Sequence, residues 1–240
     1  MANDMNKIIL FSLVLVIYSC GGGSGDDSTP VQESSQQPPV AFDNTSGTAT
    51  FRVTMNSAWS ITTHPVNFPT NPHTSTWVGA LHNINTKFWE SGELSSPGIK
   101  QMAELGGTTV ISSEINTNIN LGDSNKLILG SNLITSPGST SFNISANTSF
   151  TFLTLVTMLA PSPDWFVGIS AYNLMPNGAW IEKGTITLFA YDAGTDSGDE
   201  YNSPNFITNP PDNIKQIDVS PFLVNSQVVP VGTLVIERIQ

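Results

Sequence analysis

Ser149-Phe150-Thr151-Phe152-Leu153-Thr154-Leu155-Val156-Thr157-Met158-Leu159-Ala160 is the longest apolar run of the chain beyond its first twenty residues. Its Thr and Val content, with Pro161 and Pro163 close behind, fits a strand covered on both faces better than a helix. Working outward, residues 165–172 and 179–190 read as two more strands. Between them Asn173-Leu174-Met175-Pro176-Asn177-Gly178 makes a hairpin-like turn with an Asn-Gly step. Upstream, residues 48–58 alternate, with Phe51, Val53 and Met55 on one face and Thr50, Arg52 and Thr54 on the other, which predicts a half-buried first strand. Residues 232–239 alternate again and close the fold. Shorter strands are expected at 126–130 and 142–144. The stretch 59–76, with Pro65, Pro69 and Pro72, is loop chemistry.

Two short helical insertions are expected, at 86–94 and at 96–106. The second has Ser96 as N-cap, Pro97 at the first helical position and Gly106 at the end. Beyond Gly107 the texture returns to β. Strands spaced by turns, with no βαβ rhythm, predict a mainly β chain folded as an antiparallel β-sandwich.

Of the 240 residues 39% are hydrophobic and only 11% charged, which suits one globular domain rich in turns. The net charge of -11, with eight Lys and Arg that do not cluster, argues against nucleic acid as a partner. Residues 6–18 form an apolar run behind Lys7, too short for a permanent membrane span. Ile17-Tyr18-Ser19-Cys20 resembles a bacterial lipobox, so residues 1–19 are expected to be a lipoprotein signal peptide that leaves Cys20 lipidated and in the membrane. An ordinary secretory signal with an incidental cysteine is the other reading. Asp4 is out of place in such a signal, and Met5 makes the better start. Residues 20–46 offer little apolar surface and read as a flexible tether, with the folded domain over 47–240. Cys20 is the only cysteine, so no internal disulfide is available.

Carboxylates concentrate in Tyr191-Asp192-Ala193-Gly194-Thr195-Asp196-Ser197-Gly198-Asp199-Glu200. Asp192 and Asp196 flank a Gly194-Thr195 turn. Asp164 stands just before one strand of the expected hairpin and Asp192 just after the other, so the three carboxylates converge at one edge of the sheet. Ionised carboxylates held together need a positive charge, and for oxygen ligands outside the cell that is Ca2+. A solvated acidic turn remains the alternative. So does an acid/base pair for glycoside hydrolysis. The sequence has no EF-hand loop, nucleophile elbow, P-loop or H-E-x-x-H. His64, His73 and His82 could offer a zinc site, although their spacing does not put them on one helix face. Trp165 and Trp180 are expected in the core.

Pro161-Ser162-Pro163-Asp164-Trp165, then Trp180, then Asp192-Ala193-Gly194-Thr195-Asp196-Ser197-Gly198 with Ser203-Pro204-Asn205, resemble the spondin N-terminal domain found in F-spondin and mindin. The resemblance runs over about residues 49–240. It implies a C2-like antiparallel β-sandwich that binds calcium through Asp164, Asp192 and Asp196 and serves extracellular adhesion. The cysteine pair of the animal domains is missing from residues 174–180. The expected function is therefore an envelope-anchored, calcium-binding module whose partner is an extracellular protein or glycan. A hydrolase acting on surface polysaccharide and a purely structural envelope lipoprotein are the alternatives.

Overall fold

The computed structural model describes residues 43–240. The expected signal peptide, Cys20 and the expected tether as far as residue 42 lie outside the described residues. In chain order the elements are β1 (Thr48–Ser57), β2 (His73–Thr74), β3 (Val78–His82), α1 (Pro97–Leu105), α2 (Thr109–Leu121), β4 (Ser124–Leu129), β5 (Gly138–Asn147), β6 (Phe152–Ala160) and β7 (Trp165–Asn173). They continue with β8 (Lys183–Leu188), β9 (Tyr191–Asp192), β10 (Lys215–Gln216), β11 (Leu223–Val224), β12 (Gln227–Val228) and β13 (Gly232–Arg238). The two main sheets run β5-β1-β13-β8 and β10-β9-β7-β6-β3-β4, with every pairing antiparallel. This is the expected β-sandwich with helical insertions.

Two apolar layers hold it together. Between the sheets, Phe51, Val53 and Met55 of β1 and Leu234 and Ile236 of β13 meet Leu153, Leu155, Leu159, Trp165 and Val167 of the other sheet. On the outer face of the larger sheet, Val78, Ala80, Val156, Met158 and Phe166 pack against Ile99, Met102 and Ala103 of α1 and Ile111 and Ile115 of α2. β6 is therefore covered on both faces from Leu153 onward, which is why its sequence is a continuous apolar run rather than an alternation. Truncating Leu155, which has no exposed surface, would remove buried contacts of the kind that cost about 2–5 kcal/mol.

Three expectations are corrected. Residues 86–94 form turns and bends, not a helix. The β texture beyond Gly107 is instead α2, in which Ile111, Ile115 and the partly buried Ile119 recur every fourth residue and supply one apolar stripe. Glu114, on the same helix, ties it to α1. One carboxylate oxygen accepts the Gly98 N–H at 2.7 Å and the other the Ser96 hydroxyl at 2.8 Å. A Cβ on Gly98 would lie 2.6 Å from the Ile111 Cα, so glycine is what lets the helices approach this closely. Finally, β7 and β8 are not hairpin partners. β7 pairs with β6 and β9, whereas β8 has crossed to the other sheet beside β13.

The bonded region begins ahead of residue 47. The Asn44 carbonyl accepts the Trp180 N–H, and the Arg238 guanidinium donates to the Asn44 side chain and the Asp43 carbonyl. Trp165 and Trp180 are both core residues.

Candidate metal centre

Asp164 lies in the turn that follows β6 and immediately precedes β7. After β8 the chain returns to the larger sheet, where Asp192 of β9 sits opposite Trp165 of β7. The start of β7 and the end of the β8-to-β9 segment are thus brought together by the short β9 ladder, across the sandwich, and not by a hairpin.

Asp164 is fully buried. Its Oδ2 accepts from the Thr195 N–H at 2.7 Å, the Thr195 hydroxyl at 3.1 Å and the Asp196 N–H at 3.0 Å. Its Oδ1 is buried with no hydrogen-bond partner. Burial, and then the charge of nearby Asp192, push the Asp164 carboxyl up to about 6 against the bonds to Oδ2. Asp192 is half-buried, and burial raises its carboxyl as well. The Gly194 N–H, at 2.7 Å from Oδ1, and the Lys215 ammonium work the other way, while Asp212 and Asp196 add to the rise. Lys215 stands opposite Asp192 in the β9–β10 register.

Asp196 is also buried, but its carboxylate is committed to its own loop. Oδ1 accepts the Gly198 N–H at 2.8 Å, and Phe206 N–H lies 3.2 Å from Oδ2 and 3.3 Å from Oδ1. The turn itself is exacting. Gly194 has a φ of 75°, and a Cβ there would lie 2.1 Å from the Asp212 carbonyl oxygen, so only glycine fits between the two loops. Beside these residues is a cleft of about 320 Å³ lined by Asp192, Asp196, Asp199, Asp212, Asp218 and Lys215.

The structure therefore brings Asp164 and Asp192 into electrostatic contact and puts Asp196 in the adjoining turn. Among the described residues, no three His, Cys, Asp or Glu side chains are grouped as a ready-made metal site. What fits a hard cation is the donor chemistry: oxygen-only groups, two carboxyls destabilised as anions, and one carboxylate oxygen left without a donor. Sequence reasoning missed Asp212 and Lys215. Their segment carries the turn signal Asn209-Pro210-Pro211-Asp212, but no spacing ties it to Asp164 or Asp192.

The histidines do not meet. The His64 ring bonds to the Thr63 hydroxyl and the Val229 carbonyl, His73 to the Asn71 carbonyl, and His82 to the Asn83 carbonyl and the Thr154 hydroxyl.

Residues 49–227 match the family model described as Spondin_N. Spondin-2 of Rattus norvegicus is 32% identical over 176 residues, covering 72% of this chain and 53% of that protein. Spondin-1 of Gallus gallus is 36% identical and spondin-1 of Homo sapiens 35% identical, each covering 80% of this chain and 26% of the relative. The chain thus spans about half the length of spondin-2 and about a quarter of spondin-1. Over the sandwich and its acidic loops alike, this chain belongs to the spondin N-terminal domain family.

Proposed function

We propose that this domain is a calcium-binding module for extracellular recognition, held at a cell envelope by a lipid on Cys20, with a protein or glycan as its partner. Asp164, Asp192 and Asp196 are the residues that would hold the ion. The observation that carries the reading is the Asp164 carboxylate, fully buried with Oδ1 unpartnered and a second buried carboxyl beside it. A buried anion in that state is costly until a cation satisfies it. Calcium would supply the missing charge and join the loop before β7 to the loop after β9. That stiffens one end of the sandwich and leaves its acidic cleft as a contact surface. Among the described residues, no helix is long and apolar enough to cross a membrane.

The test is thermal unfolding of the full chain in Ca2+ and in chelator. At an ion concentration a hundred times the Kd, the stabilisation expected is about 2.7 kcal/mol, a rise of roughly 5–10 °C for a domain of this size. Asp164→Asn should lose that rise. Equal melting temperatures in Ca2+ and chelator for the unaltered chain would end the calcium assignment.

A hydrolase using the same carboxylates draws on one observation, the elevated Asp164 carboxyl, which is suited to a general acid. Its complete burial works against it, because a general acid must reach the leaving oxygen. Turnover of a surface polysaccharide by the unaltered chain, lost in Asp196→Asn, would establish the hydrolase instead.

A further inference from the structure

The outer strands of a sheet expose rows of unpaired N–H and C=O groups, and proteins blunt them with lysine, proline, bulges or a covering segment. Here the two main sheets end in four strands, β5 and β8 on one sheet and β4 and β10 on the other. Three of these carry an exposed lysine: Lys183 on β8, Lys126 on β4 and Lys215 on β10. β5 carries none. It is a ten-residue strand with no charge and no proline, and it pairs with β1 without a break from Thr48↔Asn147 to Ser57↔Gly138. Among the described residues β1 is its sole strand partner. Its outward side chains Ser139, Ser141, Asn143 and Ser145 are exposed.

The lack of charge extends beyond the strand, since no Asp, Glu, Lys or Arg stands between Lys126 and Asp164. In a chain of net charge -11, most surface presented to a second copy meets like charge. The β5 edge does not. Across the outer face of its sheet, one row reads Lys183, Glu237, Arg52, Asn143, so the charges alternate inward and the row ends neutral at the free edge. Next to that edge, Leu81, Leu127, Leu129 and Ile144 line a groove of about 180 Å³ together with Asn143, Ser145 and the exposed Lys126 of β4, whose positive charge is the one charge on its lining, and Leu129 is 57% exposed. A strand laid along β5 would cover this groove.

We propose that β5 is a self-association edge, at which two copies pair β5 with β5 antiparallel about a two-fold axis at Asn143 and merge their four-stranded sheets into one. Antiparallel pairing of a strand with itself is isologous, so each copy supplies the same patch. In this register Ser141 faces the partner's Ser145 and Ser139 faces the partner's Asn147, with no like charges opposed. The two copies of Arg52 lie three strand spacings apart, about 14 Å, beyond the screening length of about 8 Å at physiological salt. One strand edge and a small groove fall short of the roughly 800 Å² per partner of a tight complex, so the dimer forms in the micromolar range.

Sedimentation velocity of the full chain between about 1 and 100 µM is expected to show the monomer mass doubling as concentration rises. Ser141→Lys combined with Ser145→Lys, both at exposed positions, should hold the chain monomeric throughout with an unchanged melting temperature. Thr185→Lys combined with Thr187→Lys, the equivalent change on exposed positions of β8, should leave the dimer intact. A monomer at the highest concentration, a dimer that survives the β5 lysines, or one dissolved by the β8 lysines would each overturn the proposal.

Discussion

His82 and Asp164 are both titratable, both without exposed surface and both attached to the larger sheet, yet burial leaves them in opposite conditions. The His82 ring is satisfied on both sides. Nδ1–H donates to the Asn83 carbonyl at 2.8 Å, and Nε2 accepts from the Thr154 hydroxyl at 2.8 Å, which in turn accepts the Ala171 N–H at 3.0 Å. Phe152 stacks on one face of the ring and Phe88 meets it edge-on. Burial lowers its pKa, and a neutral ring with both nitrogens bonded has nothing further to bind. Asp164 has three donors on Oδ2 and none on Oδ1, and its neighbour is another carboxyl. Burial alone therefore does not set the two apart. The carboxylate oxygen left without a donor does.

The strongest way to break this contrast is through pH. A folded-state value near 6 for Asp164, against 3.8 when free, means that the folded protein holds this proton more tightly than the unfolded chain. Its contribution to stability is then complete below about pH 4 and lost as pH rises to 6, a swing of roughly 3 kcal/mol. Asp164→Asn removes the ionisation. In chelator, urea unfolding should show the variant gaining on the unaltered chain by up to that amount between pH 4 and pH 7, and saturating Ca2+ should reverse the advantage at pH 7. A difference that stays flat across this range would mean that the Asp164 anion is not strained.

His82 sets the opposite case. Its depressed pKa means that the unfolded chain binds the proton more readily, so its contribution holds above pH 6.5 and is lost as pH falls below it. His82→Gln should cost about 2 kcal/mol at pH 7 by leaving part of the Asn83–Thr154 bonding unmade. The cost should be the same in Ca2+ and in chelator and should shrink below pH 6.5. Calcium dependence of this variant would mean that the histidine region is coupled to the acidic loops.

What the sequence made legible follows from how local each cause is. β1, β6 and β13 were readable because alternation or a continuous apolar run is imposed by the layers each strand touches. The α1 caps were readable because Ser96, Pro97 and Gly106 act within the helix itself. α2 was not, since its Thr, Ile and Asn content carries strand or turn preference and is overruled by packing on the sheet and by the Glu114 tie. β3, a short strand buried at every position, offered no alternation to detect. For the site, Asp164, Asp192 and Asp196 were picked out by turn chemistry and the family motif. The assumed hairpin gave the correct neighbours for Asp164 and Asp192 through the wrong ladder. Either a hairpin or a crossing to the other sheet and back returns the chain to the same end, and periodicity does not distinguish them. Asp212 and Lys215 arrive from a loop remote in sequence, and only tertiary contacts reveal them: the β9–β10 ladder for Lys215 and the approach to Gly194 for Asp212.

Asp196 sharpens the contrast at the smallest scale. Its carboxylate is buried like that of Asp164, but it already accepts from Gly198 and Phe206, and the loop it fastens continues in the Asp196↔Ile207 bridge. Asp196→Asn keeps one acceptor oxygen and weakens charge-assisted bonds to backbone donors, which predicts a loss of about 1 kcal/mol in chelator. If an unsatisfied oxygen is what draws the cation, this variant retains part of the calcium-induced rise in melting temperature, while Asp164→Asn loses all of it. Titrating both variants with Ca2+ by calorimetry checks the ranking. Equal losses would make Asp196 a full ligand whose local bonds give way to the ion, and burial without a partner would then no longer separate the two aspartates.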